Sequence, residues 1–253
     1  MFVFLLTDIF FYIIIFSLGY YVYYVRKTKD ILETWKHVFK SKTGIISIVV
    51  LAFFLLIAIL DSIHFKEKIK NEKNDLISYS SEIKSVLDLI LLPTYQNTEK
   101  SYSSPFSSNL YSKETRILEN NIEQRVYPKL LYKGNHNKYS EKNSYNIFLT
   151  FIFSLLKYIL IFSIFYFFLF YKTVFKGISN LFHHLNSNKT FFATISVILL
   201  ISIFLYDLSL QYYVLGTDKV GVDVLYKSIK SIRTGILIGT LTTIVMLPFA
   251  IFL

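Results

Sequence analysis

Long apolar runs separated by short polar, basic stretches dominate the chain, and five of them approach the roughly 20 residues that cross a bilayer as a helix. They are residues 2–25, 44–64, 146–171, 190–207 and 234–253, the third beginning "NIFLTFIFSLLKYILIF" and the fifth "TGILIGTLTTIVMLPFAIFL". The pattern predicts an all-α, polytopic membrane protein with about five transmembrane helices, one long extracytoplasmic segment and a surface amphipathic helix. The first run lacks the basic start and small-residue cleavage site of a signal peptide, so it is expected to stay as a helix. Four parts follow: 1–64, two helices and a basic loop; 65–145, an outer segment; 146–207, helices three and four; and 208–253, a turn, an interfacial helix and a closing span.

Charge sets the orientation. Residues 26–43 carry Arg26, Lys27, Lys29, Lys36, Lys40 and Lys42 against two acids, which places that loop in the cytoplasm and the N-terminus outside. The loop after the third run is basic too, with Lys172, Lys176 and Lys189. One conflict stands: the stretch 208–233, assigned outside, carries Lys219, Lys227, Lys230 and Arg233. Within 65–145, "NDLISYSSEIKSVLDLILL" has a helical stripe at Leu76, Ile77, Ile83, Val86, Leu87 and Ile90. The following "PTYQNTEKSYSSPFSSN" reads as loop, and the segment has too few apolar residues to bury a core alone.

Composition excludes several classes. Of 253 residues 53% are hydrophobic and 17% charged, and no cysteine offers a disulfide, thiolate metal site or nucleophile. The net charge of +10 lies beside apolar runs, where it meets membrane lipid headgroups; no nucleic-acid partner is expected. His183 and His184 are adjacent and diverge on a helix, and no metal is expected there. Asp61 and His64 share a helix face and read as a polar cap at headgroup level. Lys157 lies deep in the third run and needs a partner, for which Asp8 is the candidate. No phosphate-cradling loop and no nucleophile–base spacing appears, so the chain is not expected to be an enzyme.

The closing segment is the most specific. In "VLGTDKVGVDVLYKSIKSIRTGILIGT", Gly216 and Gly221 suit unusual backbone angles, and Thr217 or Asp218 can cap a helix. From Val222 to Ile232 apolar residues recur at helical spacing, predicting a helix along the membrane surface that turns inward at Arg233. Gly235 and Gly239 form a small-xxx-small pair that admits a close neighbour helix. Pro248 would kink a helix that continued past it.

This segment resembles the signature of the oligopeptide/dipeptide/nickel class of ABC importer permeases, C-type subunit. Leu215, Gly216, Thr217, Asp218, Gly221, Asp223, Val224, Leu225, Arg233 and Gly239 match; Val222 and Tyr226 stand where that family usually has arginine and serine. The basic stretch and helix of "WKHVFKSKTGIISIVVLAFFLLIAILDSI" are also similar to that subunit's start. The resemblance implies a multi-pass bacterial inner-membrane subunit transporting peptides or a related small solute. Its implied partners are a second permease subunit, two ATPase subunits and a periplasmic solute-binding protein. No cofactor is implied on this chain, since ATP belongs to the partner subunits. No E-A-A-type loop occurs in 1–253, so the chain is expected to be the N-terminal part of such a permease. The rival expectation is a membrane sensor or interaction protein that uses 65–145.

Overall fold

Each apolar run contains a long helix in the computed structural model, which describes residues 2–70, 77–96, 98–117, 123–133, 143–169 and 189–252. Helices α1 (Leu6–Lys27), α2 (Lys29–Lys40) and α3 (Lys42–Ser62) come first. After short elements in the outer segment follow α6 (Asn143–Leu169), α7 (Lys189–Gln211) and α8 (Val224–Phe252). Among the described residues five helices, α1, α3, α6, α7 and α8, are long and apolar enough to cross a membrane. The protein is a mostly helical, multi-pass membrane protein. His183 and His184 lie outside the described residues.

Two compact units divide the chain: Met1–Leu92 with Ser228–Leu253, and Pro93–Lys227. The first unit ties its helix ends with a small antiparallel sheet. β1 (Phe2–Val3) pairs with β2 (His64–Phe65), and β2 with β5 (Lys84–Ser85). β3 (Lys68–Lys70) and β4 (Ile77–Tyr79) form a second pair. Of the helical stripe expected over 74–92, the described residues are helical only from Val86, as α4 (Val86–Ile90) and the start of α5 (Leu92–Tyr95). Ser85 and Asp88 explain where it begins. Ser85 Oγ accepts the Asp88 N–H at 3.1 Å and Asp88 Oδ2 accepts the Ser85 N–H at 2.8 Å, a capping box that starts α4 there.

The basic loop 26–43 contains helix α2. Ile31, Leu32, Trp35, Val38 and Phe39 share one face, with Lys29, Lys36 and Lys40 opposite. Trp35 meets Tyr21 edge-on at 6.4 Å, so the aromatic end of α1 steadies it. At the closing segment the expected surface helix and span are one continuous helix, α8, with no break at Arg233 and with Pro248 inside it. The reason is local: residues 224–252 hold no proline before Pro248, and Arg233 finds buried partners, described below, that hold it within the helix.

In the second unit, α6 packs on α7 along a polar seam. Thr150 Oγ1 donates to Gln211 Oε1 at 3.1 Å and Ser154 Oγ to Asp207 Oδ2 at 3.0 Å; Tyr158 and Ser196 hydroxyls meet at 2.6 Å. The outer part carries β6 (Glu114–Ile117) paired antiparallel with β7 (Glu123–Val126). Its core is Leu110 and Leu130 closed by Tyr213, a residue that follows α7.

Candidate functional site

Residues 215–223 form a turn whose sequence is dictated by what lies beside it. Gly216 and Gly221 have φ of +76° and +78°, a left-handed conformation that favours glycine. A Cβ at Gly221 would stand 1.8 Å from the Glu99 carbonyl oxygen, and one at Gly216 2.3 Å from that of Ser103. The segment 99–104 therefore lies directly on the turn. The Glu99 N–H donates to Gly221 O at 2.9 Å, and Thr217 Oγ1 donates to Ser101 O at 2.8 Å. Asp218 holds the turn closed, its Oδ1 accepting the N–H groups of Val220 at 3.0 Å and Val222 at 2.9 Å. Leu215 is exposed.

The cap of α8 is Asp223 rather than Thr217 or Asp218, because Thr217 is spent on Ser101 and Asp218 on its own turn. Asp223 is fully buried; Oδ1 accepts the Leu225 N–H at 2.9 Å and Oδ2 takes Lys133 Nζ at 2.8 Å. Lys133 also lies 4.6 Å above the Tyr213 ring, a cation–π contact. Glu99 completes the clip, accepting the N–H groups of Leu131 and Tyr132 at 2.9–3.0 Å. Tyr226 stacks on Tyr95 at 5.0 Å.

Two titrations follow. The Lys227 ammonium beside Asp218, helped by the Val222 and Val220 N–H groups and opposed by burial, holds that carboxyl below its ordinary value. Folding then gains from the charged form above about pH 3.9 and loses that gain as pH falls through the depressed folded value. The unfolding midpoint should drop between about pH 5 and pH 3, and drop less in Asp218→Asn; the difference is bounded at about 1 kcal/mol, as for an exposed pair. Burial, then the neighbouring charge of Glu99, raises the Tyr213 phenol, so its contribution is lost above about pH 10, where the unfolded chain ionises first.

The first unit holds a second cluster, built by Arg233 from α8. Its Nη2 lies 2.6 Å from Thr7 Oγ1 and 3.1 Å from Asp8 Oδ1 on α1. Its Nη1 donates to Asp61 O at 3.2 Å and stands 3.7 Å from Asp61 Oδ2 at the end of α3. His64 Nδ1 lies 3.0 Å from Asp8 Oδ2, and its Nε2 3.5 Å from Arg233 Nη1. Lys230, one turn earlier on α8, reaches Asp88 at 2.8 Å, and Ser85 Oγ donates to Asp61 Oδ1 at 3.0 Å. Asp61 and His64 do not share a helix face, since α3 ends at Ser62 and His64 lies on β2; both are buried members of an ion cluster.

Asp8 and Lys157 each find their partner within their own unit. Asp8 pairs with Arg233 and His64, while Lys157 Nζ donates to Asp207 Oδ1 at 2.7 Å, replacing the pair expected between them. The cause is reach: Asp207 lies on α7, packed against α6, and its carboxylate is held ready by Ser154. Gly235 and Gly239 meet nothing that a Cβ would touch within 4 Å. Gly239 instead borders an apolar cleft of about 440 Å³ whose other wall includes Ile14, Leu18 and Tyr21 of α1.

No family model, curated protein or solved structure matches this chain. Its chemistry must be read from these groups alone. Among the described residues no three His, Cys, Asp or Glu side chains are placed to hold a metal. Both clusters are pairs and triads of opposite charge, buried and hydrogen-bonded, which fix helix ends and a turn. Asp88, Glu99, Lys133 and Asp207 escaped the sequence reading. Only Asp88 carried a signal, in the S-x-x-D capping box of "SVLD".

Proposed function

We propose that this chain is a membrane subunit of an ATP-driven importer for peptides or a related small solute, of the oligopeptide/dipeptide/nickel permease class. The turn at 215–223 carries this reading. Its glycines, Thr217, Asp218 and Asp223 are each used in a way few other residues could replace, and they are the positions that match the family's signature. Separate ATPase subunits would bind and hydrolyse ATP, a second permease subunit would share the membrane, and a periplasmic solute-binding protein would deliver the solute. The chain itself would be no enzyme; it supplies helix packing and an outer surface.

The orientation that goes with this role puts the N-terminus outside in a bacterial inner membrane. The basic residues that spoke against it are mostly neutralised: Lys227 pairs with Asp218, Lys230 with Asp88, and Arg233 with Asp8 and Asp61. Charges paired this way weigh less in orientation than the lysines of α2. A sensor or interaction role for 65–145 draws support from Leu110 and Leu130, two residues of that segment buried together with Tyr213.

The test is affinity purification of the tagged chain from its native membrane after mild crosslinking. Co-purification of a second permease and an ATPase is the expected result. A folded chain that repeatedly comes without either would overturn the importer reading and move the sensor role ahead of it.

A further inference from the structure

Among the described residues the charges gathered around Arg233 do not balance. Asp8, Asp61 and Asp88 bring three carboxylates, Arg233 and Lys230 two cations. Asp8, Asp61, Asp88, His64 and Arg233 are each no more than 8% exposed, so water screens the imbalance poorly. A buried cluster of this kind is stabilised by one more positive charge.

His64 is placed to supply it. Its Nδ1 is 3.0 Å from the Asp8 carboxylate, and its Nε2 faces Arg233 Nη1 at 3.5 Å. A guanidinium has donors only, so a favourable contact there requires a lone pair on Nε2, with the hydrogen on Nδ1 directed at Asp8. That is the neutral ring. We propose that His64 is the proton-binding site of this cluster, and that its protonation moves Arg233 from the imidazole to the Asp61 carboxylate. The proton adds to the Nε2 lone pair and no other bond changes. The new N–H then faces a guanidinium N–H, donor against donor and charge against like charge. Asp61 Oδ2, now 3.7 Å from the same Nη1, is the acceptor close at hand.

The groups facing His64 from each neighbouring element agree with this. α1 offers Asp8 and Tyr12, whose hydroxyl donates to Ser62 O at 3.1 Å. α3 offers Asp61, α4 offers Asp88 with its partner Lys230, and α8 offers Arg233. On β5 the residue opposite His64 is Ser85; next to it Lys84 pairs with Glu67, and the described residues of β1 are Phe2 and Val3. Because β2, α1, α3 and α8 meet at these side chains, one proton changes which of them Arg233 holds. This inference stands whether or not the chain serves an importer.

The experiment is nitrogen-15 NMR of ring-labelled histidines in the full chain, reconstituted in lipid nanodiscs, at about pH 8 and about pH 5. Loss of one resonance set in His64→Gln assigns the residue among the five histidines. The expected result is an Nδ1–H tautomer at the higher pH and a doubly protonated ring at the lower, with the Arg233 side-chain resonances shifting together with it. Arg233→Gln should move the titration to higher pH and Asp8→Asn to lower pH, which a purely structural histidine would not show in concert. An Nε2–H tautomer at about pH 8 would overturn the proposal. So would a ring unchanged over the whole range, with the proton found on Asp61 instead. If either variant fails to fold, the spectra of the unaltered chain still decide.

Discussion

Arg233→Leu is expected to destabilise the protein by about 3–5 kcal/mol, the cost of removing one partner from a buried ion cluster. The reason lies with the groups left behind. Asp8 is fully buried and Asp61 3% exposed, and Arg233 is the cation that touches both. Thr7 and the Asp61 carbonyl would lose their donor as well. Thermal unfolding in detergent, followed by circular dichroism, should show a large fall in midpoint or too little folded protein to measure. Arg233→Lys should fall between, because it restores charge without the fork that reaches α1 and α3 together. Arg233→Gln combined with Asp8→Asn should recover part of the loss, since a neutral pair leaves fewer buried charges. A midpoint for Arg233→Leu within about 1 kcal/mol of the parent would show that the cluster is hydrated, not buried.

Gly221→Ala carries the second large effect, on the order of 3 kcal/mol or more. The left-handed φ of +78° alone costs an alanine about 1–2 kcal/mol. The new Cβ at 1.8 Å from the Glu99 carbonyl cannot be accommodated by a side-chain movement, because the obstacle is backbone. The segment 99–104 must lift, which breaks the Glu99–Gly221 hydrogen bond and strips Thr217 of Ser101. Limited proteolysis should then cut faster than in the parent within 98–117 or 123–133. Gly235→Ala is the matched control: nothing lies within 4 Å of its Cβ position, and a helical glycine replaced by alanine gains roughly 0.5–1 kcal/mol. Equal protease sensitivity in both variants would remove the turn from its proposed place as the anchor of the outer segment.

The spans were legible in the sequence because lipid demands a long apolar run whatever its neighbours do. What escaped depends on distant pairing. β1 is two residues, Phe2–Val3, and exists only because His64–Phe65 lies opposite; no local propensity announces it. The Asp8–Lys157 expectation rests on both lying within snorkelling reach in the expected topology, whereas Arg233, placed at a surface bend, is not weighed there as a partner. Had α8 been read as one helix from Val224, Arg233 would have stood about two and a half turns inside it, where a charge needs an acid. Helix α2 was hidden by its own lysines, counted for orientation while the apolar spacing from Ile31 to Phe39 went unused. The turn was the best-read part: the need for glycine at 216 and 221 was visible, though not the strand of outer chain that makes it absolute.

Arg233 also has an implication for the order of events during synthesis. Its contact with the Asp61 carbonyl spans 172 residues, and the whole unit Pro93–Lys227 is made between the two halves of the other. At roughly 5–20 residues per second the acids of α1 and α3 wait on the order of 10–30 seconds for their cation. During that interval Asp8 and Asp61 are charges without a counter-charge at the ends of inserted helices, and the first unit is unfinished. The intervening unit has no such debt, since Lys157 meets Asp207 and Lys133 meets Asp223 within its own length. The middle of the chain can therefore settle first, and its two ends last.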